Sequence, residues 1–232
     1  MQASVRSELR DGWGYIRDSR PIWSILLLLS LVSLVGMPYT ALMPIFAGSI
    51  LHGGAHTFGF LMAASGVGAL IGAVTLAARR SVLGLGRVIP MTAAGFGASL
   101  VAFAASRQLW LSLLLLVITC YSFMQQMAAS NTILQTISED EKRGRVMSFY
   151  SMAFQGVAPF GSLIAGVLAT HIGAPHTLML GGTICMLGAA LFARQLAALR
   201  KLVRPIYIQM GIVPELTTGI NVASTLQEPP EE

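Results

Sequence analysis

The chain has 232 residues, 54% of them apolar and only 11% charged, with a mean hydropathy of +0.69 and a net charge of +5. An ordinary soluble domain carries about 25% charged residues, and so little polar surface cannot cover this much apolar material in water. A soluble enzyme or a nucleic-acid-binding domain is thereby excluded, and a lipid bilayer is the expected surrounding.

Residues 1–20 are polar and basic, with Trp13 and Tyr15 set among Arg6, Arg10, Arg17 and Arg20. That mixture suits a segment lying at headgroup level before the chain turns into the membrane at Pro21. Six stretches without Lys, Arg, Asp or Glu follow, at about Pro21 to Ala47, Phe58 to Ala78, Val88 to Ala105, Leu109 to Ala129, Val146 to Thr170 and Thr177 to Ala193. Each is near or above the ~18–20 residues that a spanning helix needs. The first is too long for the ~7–15-residue core of a signal peptide and lacks a small-residue cleavage site, so it is read as a retained span. Cys120 and Cys185 both lie inside spans, without the spacing of a zinc site or a disulfide framework.

Fourteen of the fifteen Lys and Arg residues fall at the two ends and in every second connection, and so on one side of these stretches. One side receives the four arginines before Pro21, then Arg79, Arg80 and Arg87, Lys142, Arg143 and Arg145, and Arg194, Arg200, Lys201 and Arg204; the other receives Arg107. Short basic connections stay in the cytoplasm, so both termini are expected there. The cations then face anionic headgroups rather than a polyanion.

Within the spans, Pro38, Pro44 and Pro159 remove helical hydrogen bonds and predict bent or loosened helices. In lipid that is tolerated where neighbouring helices or a watery cavity satisfy the freed carbonyls. Ala64, Gly68 and Gly72 in the second span, and Ala158, Ser162 and Gly166 in the fifth, recur every four residues and predict close helix packing. The same placement in the second and fifth spans hints at a 3+3 repeat. Between the fourth and fifth spans, Ser138 and Glu141 fit a capping box for a helix beginning near Glu139. After the last span, Arg194–Arg204 reads as a basic amphipathic helix on the inner surface, and the Pro-, Thr- and Glu-containing segment from about Gly211 as a loose tail. The resulting division is 1–20 interfacial, 21–198 a six-helix bundle and 199–232 a basic helix with a tail.

No phosphate loop, His-Glu-x-x-His or Gly-x-Ser-x-Gly sequence is present, so no catalytic constellation can be assembled. No metal or other cofactor is called for. His52, His56, His171 and His176 sit in outer connections, where loop histidines are the simpler reading than a metal or pH site. What remains is uncharged polarity: Tyr121, Gln125, Gln126 and Asn131 in the fourth span, Ser148, Tyr150, Ser151 and Gln155 in the fifth, Ser33, Tyr39 and Thr40 in the first. An unpaired amide in hydrocarbon costs several kcal/mol, so these groups face other helices or water. Adjacent Gln125 and Gln126 project about 100° apart, so one is expected to face a cavity and the other a neighbouring helix. With Phe123, Met124, Met127, Phe149, Met152 and Phe154 nearby, such a cavity suits an amphiphilic, largely apolar small molecule. All ten acids lie on the side expected to be cytoplasmic, so the spans offer no carboxylate for proton coupling.

The runs Asn131-Thr-Ile-Leu-Gln135, Glu139-Asp-Glu-Lys-Arg143-Gly-Arg145-Val-Met-Ser148 and Gly156-Val-Ala-Pro159-Phe-Gly161 resemble the tenth-to-eleventh-helix region of major facilitator superfamily transporters. The similarity is greatest to the bacterial branch of the enterobactin exporter and related secretion effectors. Glu8-Leu-Arg-Asp-Gly-Trp13-Gly-Tyr15 resembles the stretch before the seventh helix of that branch, and Arg204-Pro-Ile-Tyr207 its C-terminal end. The resemblance implies an all-α polytopic fold, the C-terminal six-helix half of a twelve-helix carrier in a bacterial plasma membrane. Its implied partners are an N-terminal six-helix half and a small-molecule substrate exported by alternating access. Tyr39, Tyr121, Gln125, Gln126, Asn131, Tyr150 and Gln155 would then line the cavity, with Gly68, Gly72, Arg143, Arg145, Pro159 and Gly161 serving packing and gating. The family's cytoplasmic motif is echoed between the second and third spans only by Arg79, Arg80, Gly84, Gly86 and Arg87, without its usual Asp. The competing expectation is a truncated or non-transporting membrane protein that acts as an assembly partner.

Overall fold

A computed structural model describes residues 5–79 and 84–209, the side chains of 5–11, 200–201 and 204–209 excepted. Among the described residues all regular structure is helical: α1 (Val5–Asp18), α2 (Arg20–Val35), α3 (Tyr39–Ile45), α4 (Ala55–Ala77), α5 (Leu85–Ala105), α6 (Leu109–Ile137), α7 (Asp140–Ser151), α8 (Ala158–Ile172) and α9 (Ala174–Gln209). Six helical runs are long and apolar enough to cross a membrane, the first joining α2 and α3 as Arg20–Ile50 and the fifth joining α7 and α8 as Asp140–Ile172. The chain is a multi-pass membrane protein, as its hydropathy predicts.

The prolines break the helices where expected. The first span turns at Gly36–Pro38 and then, just past Pro44, relaxes into a π-helical turn at Phe46–Ile50. A second π-helical turn, Met152–Gly156, separates α7 from α8, whose first turn holds Pro159. The sixth span differs from expectation. α9 runs unbroken from Ala174 to Gln209, so the basic segment continues the helix of the span instead of forming a separate one. Nothing between Ala193 and Leu199 supplies a glycine or proline to stop it. The expected tail from Gly211 lies outside the described residues.

Packing follows a chain of neighbours: α4 on α6, α6 on α5, α5 on α9, α9 on α2 and α2 on α8. Between α4 and α6, Gly68 lies against Val117 and Gly72 against Tyr121 and Met124, so these spans run parallel. Between α5 and α6, Thr119 donates to Ser99 at 2.9 Å while Gly95 meets Ser122, the register of an antiparallel pair. Both relations are those of spans that alternate in direction.

Lipid tails are as apolar as leucine, so association rests on close contact rather than on expulsion of water. A Cβ at Gly68 would overlap the Val117 carbonyl, which explains the glycine. In the fifth span the contact stripe is displaced from the one expected. Gly161 and Ala165 are buried, a Cβ at Gly161 would overlap the Leu34 carbonyl, and Gly166 meets nothing within 4 Å. Four-residue spacing alone could not choose between two neighbouring stripes.

Cover is uneven. In the first span 56% of the apolar spanning stretch is buried, against 17% in the second and 11% in the fifth. The two spans that carry the small-residue repeats are thus the two left most open.

Candidate substrate site

Irregular backbone in a membrane must find partners for its freed polar groups. At the π-helical turn of the fifth span, Pro159 has no N–H to return toward the preceding turn. The Phe154 carbonyl there accepts the Ser33 hydroxyl of α2. The turn is thereby fixed with Phe154 against Phe123 of α6, centroids 5.9 Å apart, and with Gln155 exposed.

One helical turn toward the α6–α7 junction, the buried Tyr150 hydroxyl donates to the Met127 carbonyl at 3.1 Å. The Asn131 side chain lies beside it and accepts from Gln135 Nε2 at 2.6 Å. Phe123, Met127, Asn131, Tyr150 and Phe154 therefore form one face shared by α6 and the fifth span, and Gln155, next to Phe154 in the chain, is exposed. Half-buried Tyr121 sits on α6 two residues from Phe123. This face can offer amide and phenol hydrogen bonds and aromatic contact, but no charge.

The other predicted site residues are elsewhere. Tyr39 is buried where α3 meets α6, its hydroxyl 3.1 Å from Cys120 Sγ, with Ser65 of α4 beside it and Phe96 at 6.5 Å. Gln125 is 3% exposed and ties α6 to α4, donating to the Gly72 carbonyl at 3.2 Å and to Thr75 Oγ1 at 2.5 Å. Gln126 is fully buried, and neither its Oε1 nor its Nε2 has a partner among the described residues. Neither amide opens onto free space in this conformation, whereas one of them was expected to. Thr75 was not foreseen as a partner, although it lies three residues beyond Gly72 on the side of α4 that meets α6.

At the α6–α7 junction, Ser138 does not form the expected capping box. Its hydroxyl donates back to the Leu134 carbonyl at 2.6 Å, and α7 starts at Asp140 without a side-chain cap. Arg143 closes the end of α6 instead, donating from Nε to the Gln135 carbonyl at 3.0 Å while pairing with Asp140 at 2.6 Å. Lys142 pairs with Glu139 at 3.1 Å. Arg145 stands beside Gly12 of α1, and Pro159 is exposed. Arg107, the outlier of the charge pattern, donates to the Ala104 and Ser106 carbonyls and so finishes α5.

The profile of the transmembrane secretion effector family, a branch of the major facilitator superfamily, matches residues 1–204. The chain is 25% identical over 160 residues to the staphyloferrin A transporter of Staphylococcus aureus, covering 67% of this chain and 39% of that protein. It is 21% identical over 189 residues to the uncharacterized MFS-type transporter YfmI of Bacillus subtilis, covering 80% of this chain and 47% of that protein. The chain thus spans less than half the length of either relative. With six apolar spans in an all-helical bundle and a family match over nearly its whole length, the chain belongs to the transmembrane secretion effector family of the major facilitator superfamily.

Proposed function

We propose that the chain is the C-terminal six-helix half of a carrier that exports small amphiphilic molecules by alternating access, with its basic end in the cytoplasm of a bacterial plasma membrane. The observation that carries this reading is the uncharged polar and aromatic face around Asn131, Tyr150 and Phe154, with Gln155 exposed in the adjoining π-helical turn of the fifth span. Discontinuous spans with loosened backbone are where carriers of this kind hold their substrates.

An N-terminal half would cover the second and fifth spans, which are the least buried of the six. A face without charge binds the neutral or aromatic part of a substrate, so any substrate charge is met by the other half. The same holds for coupling, because the apolar stretches of this chain contain no acid.

Staphyloferrin A, named for one relative, is the first compound to try. In energised inverted vesicles from the native host, Gln155→Ala and Asn131→Ala should each reduce its accumulation while the protein inserts normally. Unchanged accumulation in both variants, with uptake intact in the parent, would remove the site. Uptake by this chain reconstituted alone would remove the need for a second half.

A further inference from the structure

The short helix α1 does more than approach the membrane, because its last two turns are built into the fifth span. Trp13 stands edge-on to Trp23 of α2, centroids 5.4 Å apart, and leans on Phe149 of α7 at 5.9 Å. Two residues on, the Tyr15 hydroxyl accepts from the Glu139 backbone N–H at 3.4 Å, and Lys142 Nζ sits 4.5 Å above the Tyr15 ring. Just before these anchors is Gly12, where a Cβ would lie 3.3 Å from the Phe149 ring and 3.5 Å from Arg145 Cβ. The helices cross at this point, and a larger residue would press them apart.

Beyond these contacts and the bonds of Arg143 and Tyr150 to α6, α7 is set off from the rest of its span at both ends. It is twelve residues long, it begins after the extended Ser138 and Glu139, and it ends in the π-helical turn Met152–Gly156. Irregular backbone at each end lets a rigid segment pivot, and the contacts holding its outer end are individually weak at an exposed surface. Apart from Gly12 and Ile16, which are buried, the anchoring groups of α1 are at least partly open to solvent.

We infer that α1 is a strap: Trp13 and Tyr15 hold α7 against α2, and their release frees α7 to pivot about Met152–Gly156. In the carrier reading this pivot would move Tyr150 relative to Met127 and Asn131. The inference rests on that reading for its purpose, but its test needs no substrate.

The test is backbone hydrogen exchange on the whole chain in lipid nanodiscs, in a background with Cys120→Ser and Cys185→Ala. Trp13→Ala combined with Tyr15→Ala should speed exchange across Asp140–Ser151 by about tenfold and leave α5 unchanged. Gly12→Cys with Arg145→Cys has the Cβ separation of a disulfide. Oxidation should therefore link the pair, and slow exchange in α7 by about tenfold until dithiothreitol is added. Gly14→Cys with Arg145→Cys should not link, because a Cβ at Gly14 meets nothing within 4 Å.

Failure of the first pair to link, or equal linking by both pairs, would overturn the docking. Linking without a change in α7 exchange, or a change shared equally by α5, would overturn the strap. If these results hold while Gln155→Ala and Asn131→Ala leave accumulation unchanged in a transporting parent, the site assignment fails and the strap stands.

Discussion

Ser33 on the first span donates its hydroxyl to the backbone carbonyl of Phe154 on the fifth, 121 residues away along the chain. A serine in an apolar helix more often bonds back to its own helix, as Ser65 does to Leu61 and Ser99 to Gly95. Here the carbonyl belongs to a turn whose ladder Pro159 cannot complete.

Ser33→Ala should therefore lower the stability of the detergent-solubilised protein by about 1–2 kcal/mol, the range of a buried interhelical bond. In a Pro159→Ala background, where an N–H is restored to the turn, the same change should cost about half as much or less. Thermal melting of the four proteins of this cycle measures the coupling, and strict additivity would show that Pro159 and Ser33 act separately.

Gln125 and Gln155 should separate cleanly. Gln125→Ala removes two bonds between α6 and α4 and should cost about 1–3 kcal/mol. Gln155 is exposed, so Gln155→Ala should leave melting within about 0.5 kcal/mol of the parent. The expected loss of staphyloferrin A accumulation belongs to Gln155, and parallel melting and uptake measurements decide it.

Gln126 makes the opposite case. A fully buried amide without partners among the described residues carries the cost of dehydration and recovers none of it from them. Gln126→Met keeps the length of the side chain and should hold or raise stability by about 1 kcal/mol. A clear fall in melting temperature would show that the amide is satisfied.

Gly161→Val tests the contact between α8 and α2. The added carbons would meet the Leu34 carbonyl, and backbone cannot rotate away as a side chain can. A loss of about 2–3 kcal/mol is expected, whereas Gly166→Val, at an open position, should be close to neutral.

Much of the fold was legible because the bilayer leaves few choices. Six uncharged runs and one-sided cations define the spans, and Pro38, Pro44 and Pro159 mark the irregular backbone. What hydropathy could not supply was rotation about each helix axis. Gln125 and Gln126 differ by one position, yet one bonds to Thr75 and the other to nothing among the described residues, and the sequence offers no period that separates them. The same ambiguity placed the fifth-span stripe on Gly166 instead of Gly161 and Ala165. Ser138 shows another limit: its local alternatives, capping α7 or bonding back to Leu134, use the same residue types at nearly the same spacing. Asn131 and Tyr150 lie side by side near a break that Pro159 announced, and Gln155 sits in that break.

All of this depends on six crossings with the basic end inside. The direct measurement is labelling of His52→Cys and Arg79→Cys by a membrane-impermeant maleimide in intact cells, in a background with Cys120→Ser and Cys185→Ala. His52→Cys should label from outside, and Arg79→Cys only after the membrane is opened. Equal labelling of both positions before permeabilisation would contradict the arrangement of the spans and the carrier built on it.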